Sequence, residues 1–274
     1  MKLFDKETGE VSPESKSALS RREVLHKAAV GSIMMAAGAS VLSGCLGEGG
    51  SGGGPSDGDI LNFALNLEYL EAEFYTYATT GSGIESVGIA TNGVGTEGTT
   101  SGGVQTTFTD SRVQTIAQQL ASDEQDHVRF LRTALGSKAV ARPAINLAAL
   151  GDFSSMSTFL VLARAFEDVG VSAYGGAARY IDNRDYLEAA ARILAAEAYH
   201  AGNLRLLVQD AGIATTALDD KDIVPPPSGT DYFTLTTDSL AVIRTTREVL
   251  NIVYASTSNS GGFFPNGLNG NIRS

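Results

Sequence analysis

The positions of the prolines divide the chain into long stretches that contain none. Proline is the residue that a helix interior tolerates least, so the two long proline-free stretches before the triple proline favour helices. No segment shows a strand-like pattern that would compete for the core. The sequence therefore predicts an all-α fold. The seven prolines are Pro13, Pro55, Pro143, Pro225, Pro226, Pro227 and Pro265.

Five segments are predicted as helices, and four of them are long enough to form a bundle. Gly136 and Gly212 follow the second and the fourth, as glycine commonly does at the end of a helix. At 1.5 Å per residue, each long segment would span roughly 30 to 40 Å. Four such rods predict an antiparallel four-helix bundle. The segments are 59–78, 110–135, 154–181, 184–211 and, after the triple proline, 238–255.

Residues 79–109, which are rich in Gly, Thr and Ser, join the first two predicted helices. This segment is too long for a minimal turn, so the sequence leaves open a crossover, a lid with irregular structure or a mobile loop. Four regions are then predicted. They are an export signal (1–44), a Gly/Ser tether (45–58), the bundle (59–212) and a C-terminal extension with the fifth helix and a Gly/Phe-rich tail (213–274).

The first residues have the features of an export signal. Arg21 and Arg22 precede a weakly apolar run, 28–42, that is too short to span a bilayer. The twin arginine resembles a Tat-type signal. Residues 42–45, Leu-Ser-Gly-Cys, resemble a bacterial lipobox, in which a lipid on Cys45 would anchor the protein to the membrane on its extracytoplasmic side, in the periplasm or at the cell surface. A Sec-type signal with a chance cysteine is the alternative.

Charge and cysteine content exclude several classes of function. The chain has 20 Lys and Arg against 31 Asp and Glu, a net charge of −11, so most of its surface would repel a phosphate backbone, and no nucleic acid partner is expected. Cys45 is the one cysteine, so the chain forms neither an internal disulfide nor a thiolate metal cluster. Metal chemistry would have to use histidine and carboxylates. A homodimer is one assembly that the sequence leaves open.

The pattern Glu-x-x-His-x-x-x-Leu-Arg occurs twice, beginning at Glu124 in the second predicted helix and at Glu197 in the fourth. His127 and His200 lie three residues after these glutamates, which places Glu and His one turn apart on the same helix face. Both side chains could then reach one metal ion. A single Glu-x-x-His is commonly a solvated pair without metal, and the repetition favours the metal site.

The first and third predicted helices carry Glu68 and Glu167 in the middle of an apolar face, and Tyr75 and Tyr174 follow them by seven residues. A tyrosine on such a face is usually core. A buried carboxylate is costly unless positive charge compensates it, and a pair of divalent cations would do so for all four helices.

Two further glutamates of the first helix are weaker candidates. Glu71 lies roughly 60° around the helix from Glu68 and could approach the site, whereas Glu73, at roughly 140°, is predicted to be surface charge.

This order of motifs resembles the ferritin-like superfamily of di-iron and di-manganese carboxylate proteins, over about residues 59–209. The resemblance implies a centre of two iron or two manganese ions and a role for each candidate residue. Glu68 and Glu167 would be terminal ligands, Glu124 and Glu197 bridging ligands, His127 and His200 one nitrogen ligand for each metal, and Tyr75 and Tyr174 hydrogen-bond donors to ligand carboxylates.

The C-terminal tail, 261–270, resembles the ending of the branch of that superfamily with plant desiccation-related proteins. The favoured alternative is a Gly-rich tail whose two Phe residues dock on the bundle. Gly170 stands where rubrerythrins carry an extra glutamate, which argues against their ligand shift, and a closed storage shell is not expected.

Three functions stay open. They are an oxidase that acts on Fe(II) with oxygen or peroxide, a manganese catalase-like peroxide scavenger, and a non-catalytic stress or cell-surface protein.

Overall fold

The structure is a computed structural model that describes residues 54–274. The predicted all-α bundle is confirmed, although the helix ends differ from the prediction by a few residues. Cys45 and the predicted export signal lie outside the described residues, and residues 57 and 58 of the predicted tether belong to the first helix. The helices are α1 Asp57–Thr80, α2 Ser111–Leu135, α3 Met156–Ala177, α4 Arg184–Asp210 and α5 Thr246–Val253, with 3-10 turns at Ile84–Val87, Gly136–Lys138 and Ala178–Tyr180.

Each long helix begins at a polar residue whose side chain accepts hydrogen bonds from backbone N–H groups of the first turn. These N-caps are Ser56, Asp110, Ser155 and Asn183. A cap of this kind stabilises a helix by about 1 kcal/mol. The caps satisfy N–H groups that have no helical partner, and they therefore fix the residue at which each helix begins. The start of a helix in turn sets the position of its side chains along the bundle axis.

The helices pack as two pairs, α1 with α2 and α3 with α4. Tyr75 contacts Glu167 while Tyr174 contacts Glu68, so residue numbers on α1 and α3 run in opposite directions. Contacts between Gln125 and Thr76 and between His127 and Glu68 show the same for α1 and α2. Since α2 and α3 both oppose α1, they run in the same direction. Residues 136–155 cross the length of the bundle to join them.

The insert between α1 and α2 lies along this crossover. Strands β1 (Thr100–Ser101) and β2 (Ile145–Asn146) pair in parallel, one from each segment. Glycine is required where the two backbones meet: a Cβ on Gly98 would lie 2.2 Å from the Ala144 nitrogen, and one on Gly93 would lie 2.4 Å from the Ala139 oxygen. Part of the glycine content of the insert therefore serves close backbone packing.

The fifth helix is shorter than predicted. Residues 238–245 are not helical, and α5 begins after Thr245, which forms a capping box with Glu248. Thr236 and Leu240 close a turn instead, with Ser239 in the left-handed region at φ 60°. Ser, Thr and Asp side chains compete with helical hydrogen bonds, so the polar run 236–239 forms a turn rather than a helix.

The C-terminal extension is fastened to the bundle by buried charges and aromatic rings. Arg164 of α3 pairs with Asp222 at 2.8 Å, and Arg205 of α4 donates to the carbonyl oxygens of Ile223 and Tyr232. The ring of Phe263, which is 2% exposed, packs at a tilt against Phe166 of α3, with the ring centroids 5.1 Å apart. Among residues 54–274, the helices lack the combination of length and apolar character needed to cross a membrane.

Candidate metal centre

The six side chains predicted as ligands converge in the middle of the bundle. Each of the four long helices contributes a glutamate, and α2 and α4 each add a histidine one turn later. The glutamates are at most 1% exposed, while the side chains of the two histidines are 11–13% exposed. The residues are Glu68 on α1, Glu124 and His127 on α2, Glu167 on α3, and Glu197 and His200 on α4.

The ligand atoms form two overlapping groups of four, and within each group they lie within 4.8 Å of one another. Glu124 and Glu197 belong to both groups. The first group is completed by Glu68 and His127, and the second by Glu167 and His200. Two carboxylates shared between two groups, with one imidazole in each, is an arrangement suited to two ions bridged by carboxylates.

Both imidazoles turn Nδ1 toward the carboxylates. His127 Nδ1 lies 2.8 Å from Glu124 Oε2 and 3.2 Å from Glu68 Oε2. His200 Nδ1 lies 3.1 Å from oxygens of Glu124 and Glu167. Nδ1 is therefore the nitrogen that each ring offers to a metal.

Asp123 was missed by the sequence reasoning. Its Oδ2 lies 3.4 Å from His200 Nε2, the ring nitrogen that faces away from the carboxylates. A carboxylate at this position orients a ligating imidazole and fixes its tautomer. Asp123 directly precedes Glu124 in the chain, but its approach to His200 depends on how α2 and α4 are aligned, for which a single sequence carries no signal.

The two tyrosines hydrogen-bond to the terminal glutamates across the bundle. Tyr75 donates to Glu167 at 2.6 Å, and Tyr174 donates to Glu68 at 2.5 Å. Burial, together with these carboxylates, raises the pKa of both hydroxyls well above the usual value, so each keeps its proton and remains a donor. Both tyrosines therefore donate hydrogen bonds to candidate ligand carboxylates, and their role in orienting metal ligands stays a prediction.

Glu71 also lies beside the centre, although it belongs to neither group of four. It is 5% exposed and packs close to Gly170 of α3. A Cβ on Gly170 would lie 2.4 Å from Glu197 Oε2 and 3.5 Å from Glu71 Oε1. There is consequently no room for a glutamate side chain at position 170, and the extra carboxylate near the centre comes from α1 instead.

The prediction that Glu73 is surface charge is wrong. Glu73 is fully buried, pairs with Arg142 of the crossover and accepts a hydrogen bond from the Ile84 backbone at 3.2 Å. Its direction away from the metal site was predicted correctly by the helical angle. The insert covers that face of α1, however, and the covering segment could not be inferred from the helix pattern.

Five carboxyl groups and two imidazoles lie together in this interior, and their pKa values are shifted in different directions. Burial raises the pKa of Glu68 to about 7. Burial raises the pKa of Glu197 well above its usual value, and the charges of Glu124 and Glu167 add to this. Burial also raises the pKa of Glu71 well above its usual value, and the charge of Glu197 adds to this effect. Without a cation, burial therefore favours the protonated forms of these three carboxyl groups.

The imidazoles and Glu124 shift in the opposite sense, toward their charged forms. Burial alone would lower the pKa of His200, but Asp123, Glu124 and Glu167 outweigh it and raise the value to about 12. Glu124 and Glu68 likewise raise the pKa of His127 well above its usual value against burial. Burial would raise the pKa of Glu124, yet both imidazoles together hold it well below its usual range.

The donor set fits divalent cations. Among the described residues, no donor meets either oxygen of Glu197, or Glu124 Oε1, in hydrogen-bond geometry, although these atoms are buried. Glu124 Oε1 faces His200 Nδ1 at 3.1 Å and Glu197 Oε1 faces His127 Nδ1 at 3.4 Å, in both cases outside hydrogen-bond geometry. Buried carboxylate oxygens that are so poorly paired are costly, and they belong to the two glutamates shared by both groups. Carboxylate and imidazole together suit iron and manganese. The cluster suggests a metal centre, and its geometry does not distinguish the two metals.

Comparison with known families places this site in context. The model of the ferritin-like domain matches residues 56–210, which is more than half of the chain and contains every candidate ligand. The chain belongs to the ferritin-like domain family. The ferritin-like catalase Nec2 of Nesocodon mauritianus is 24% identical over 269 aligned residues, which cover 79% of this chain and 85% of that protein. Together with the carboxylate and histidine cluster, these likenesses suggest a metal-binding ferritin-like protein.

We expect the metal-free ferritin-like bundle to lose stability as pH rises through the neutral range. Glu68 titrates at 4.5 when unfolded and at about 7 when folded, so its contribution to the free energy of unfolding falls across that interval. The contribution of His200 is complete below 6.5 and is lost as pH rises toward about 12, which has the same sign. Thermal unfolding of chelator-treated protein from about pH 5 to pH 9 measures this effect.

The metal-loaded protein provides the control for this pH series. Metal ligation requires deprotonated carboxylates and neutral imidazoles, so bound metal should remove the decline or reverse it. A metal-free protein whose melting temperature rises over the same interval would contradict the electrostatic interpretation of the centre.

Proposed function

We propose that this protein is an exported ferritin-like oxidoreductase that holds two iron or two manganese ions and disproportionates hydrogen peroxide, in protection against oxidative or desiccation stress. The observation that carries the proposal is the pair of overlapping ligand groups that share Glu124 and Glu197. The likeness to a ferritin-like catalase supports peroxide as the substrate. Iron and manganese fit the ligand set equally.

The residues of the chain have separate tasks in this reaction. When bound, two redox-active ions would supply the electron exchange in 2 H2O2 → 2 H2O + O2, in which one peroxide is reduced and the other is oxidised. Tyr75 and Tyr174 keep the carboxylates of Glu167 and Glu68 in a fixed orientation. Glu71, which lies near the shared Glu197 without belonging to either group, is placed to hold a proton between the two half-reactions.

The proposed polar entrance to the centre lies between α2 and α4. The side chains of His127 and His200 are partly exposed there, and that of Asp123 is 36% exposed. The four ligand glutamates behind them are closed to solvent. A small polar substrate such as peroxide can reach the centre from this side by exchanging its hydrogen bonds with water for hydrogen bonds with these residues.

Dioxygen evolution tests the activity. The purified protein, loaded separately with iron and with manganese, is expected to release about one O2 for every two H2O2 consumed, as measured with an oxygen electrode alongside elemental analysis. His200→Ala should abolish the activity, because it removes a ligand from the second group. Arg192→Ala, which changes an exposed residue of the same helix, should leave it intact. Oxidation of Fe(II) without peroxide turnover would favour an Fe(II) oxidase instead, and an inert metal-loaded protein would favour the non-catalytic alternative.

The cellular location is part of the proposal and rests on the sequence of the N-terminal region. The protein would leave by a Tat-type route and remain attached to the extracytoplasmic face of the membrane through a lipid on Cys45. Export after folding makes physical sense for a bundle whose buried carboxylates need their cations, because metal would be acquired in the cytoplasm.

Two separate changes test this location. Replacement of Arg21 and Arg22 by Lys should stop export, and Cys45→Ala should release the exported protein from the membrane fraction. Unchanged export of the Lys variant would exclude the Tat route. Retention of the Ala variant in the membrane fraction would exclude the lipid anchor.

A further inference from the structure

A small apolar cavity lies against the metal centre on the side opposite the polar entrance. It has a volume of about 30 Å³ and is bounded by α1, α3, the crossover and the C-terminal extension. Its walls are aliphatic and aromatic side chains, including Leu162, Ala165 and Phe263. Among the residues that line it, Glu71 is the only one with a charged side chain.

The residues that line the cavity range from two that lie beside the centre to an exposed one on the crossover. At its inner end lie Glu71 and Gly170. The absence of a side chain at Gly170 keeps the inner end next to Glu197, because a Cβ there would come within 2.4 Å of Glu197 Oε2. Toward the outside it is lined by Leu150 of the crossover, which is 48% exposed.

Size and polarity together restrict what the cavity can hold. A volume of 30 Å³ has room for about two water-sized molecules, which excludes an organic substrate. A buried water needs two to four polar partners, and the side chains of these walls provide only Glu71. Hydrogen peroxide has the same requirement. A small uncharged molecule that needs no hydrogen bonds fits better, because it gains dispersion contacts without losing polar partners.

We infer that this cavity is a binding site for dioxygen beside the metal centre. The inference rests on the proposed function, in which dioxygen is the product that must leave. Peroxide enters on the polar side at the histidines, and dioxygen departs through the apolar side, so substrate and product use separate routes. Glu71 and Gly170 mark the boundary between the cavity and the ligand carboxylates.

Xenon is a suitable probe, because it occupies small apolar cavities and needs no hydrogen bonds. Crystals of the full chain, metal-loaded and metal-free, would be pressurised with xenon. We expect one xenon site in this cavity in both forms. Ala165→Leu should fill the space and abolish it, whereas Leu162→Ala should enlarge the space and increase occupancy. Ala173→Leu is the matched control: Ala173 lies on the same helix, is 8% exposed against 9% for Ala165, and does not line the cavity, so xenon should remain.

Dioxygen itself provides a second measurement in solution. Under oxygen pressure, the metal-free protein should show enhanced paramagnetic relaxation at the Gly170 amide, reduced in Ala165→Leu and retained in Ala173→Leu. Ordered water bound to Glu71 in place of xenon, or no xenon in wild type and Leu162→Ala, would overturn the inference. Its failure is distinguishable from failure of the proposed function, because xenon binding needs no turnover and a protein inert to peroxide could still bind xenon.

Discussion

Glu124→Gln is expected to abolish most metal binding. We expect this change and Glu197→Gln, each made alone, to have larger effects than a change of any other single carboxylate. Glu124 contributes to both groups of ligands, so its loss removes an anionic oxygen from two ions at once. Affinity should fall by more than the ~10–100-fold that loss of an outer hydrogen-bond partner costs. Elemental analysis of protein from metal-replete cells should then find less than half of the wild-type content.

The stability of the same variant should fall both with and without metal. In the metal-free protein, Gln removes the carboxylate that both imidazoles hold in its charged form, and this loss should outweigh the reduced repulsion on Glu197 and Glu167. With metal present, the variant should gain less stability than wild type, because less metal is bound. Asp126→Asn is the control on the same helix: the side chain is 53% exposed, and neither quantity should change. Equal metal content in Glu124→Gln and wild type would refute the assignment of Glu124 as a shared ligand.

The part of the site that could be predicted from the sequence is the part set by helical periodicity. Glu68 and Glu167 were recognisable because a carboxylate on an apolar face lacks a local explanation, and the repeated Glu-x-x-His spacing is a local property of one helix. Tyr75 and Tyr174 were found in the same way. Once each helix turns its apolar face inward, these residues point into the core, whatever the connections between helices are.

What could not be predicted depends on how distant segments pack. The contact of Asp123 with His200 depends on the alignment of α2 with α4, and the insert pairs with the crossover through backbone groups rather than through a side-chain pattern. The shortened α5 has a local cause, the turn-forming residues 236–239, which outweighed the apolar spacing around them. Glu73 is the clearest case, since its helical angle excluded it from the metal site without indicating what would cover it.

Glu73→Ala is expected to lower the free energy of unfolding by up to about 3–5 kcal/mol, since it removes the buried partner of Arg142 and leaves that charge paired only with the exposed carboxylate of Glu85 at 3.2 Å. The guanidinium of Arg142 is 5% exposed, and it also donates to the Gly98 carbonyl at 2.8 Å. It therefore cannot turn to solvent without releasing the insert. Denaturant unfolding of the metal-loaded protein measures the change. Glu188→Ala, which breaks an exposed pair with Arg192, should stay within about 0.5 kcal/mol.

A double variant separates an unpaired charge from a simple loss of packing. If the loss of stability arises from the buried guanidinium of Arg142 without its partner Glu73, the double variant Glu73→Leu with Arg142→Met should be more stable than Glu73→Leu alone. Neither charge remains buried in the double variant. A double variant less stable than the single one would show that the contacts of Arg142 with the insert, chiefly at Gly98, matter more than the ion pair. Metal content should stay at the wild-type level in both variants, since Glu73 belongs to neither group of ligands. Loss of metal would instead mean that the insert, which this ion pair holds against α1, also keeps α1 in the position along the bundle axis that metal binding requires.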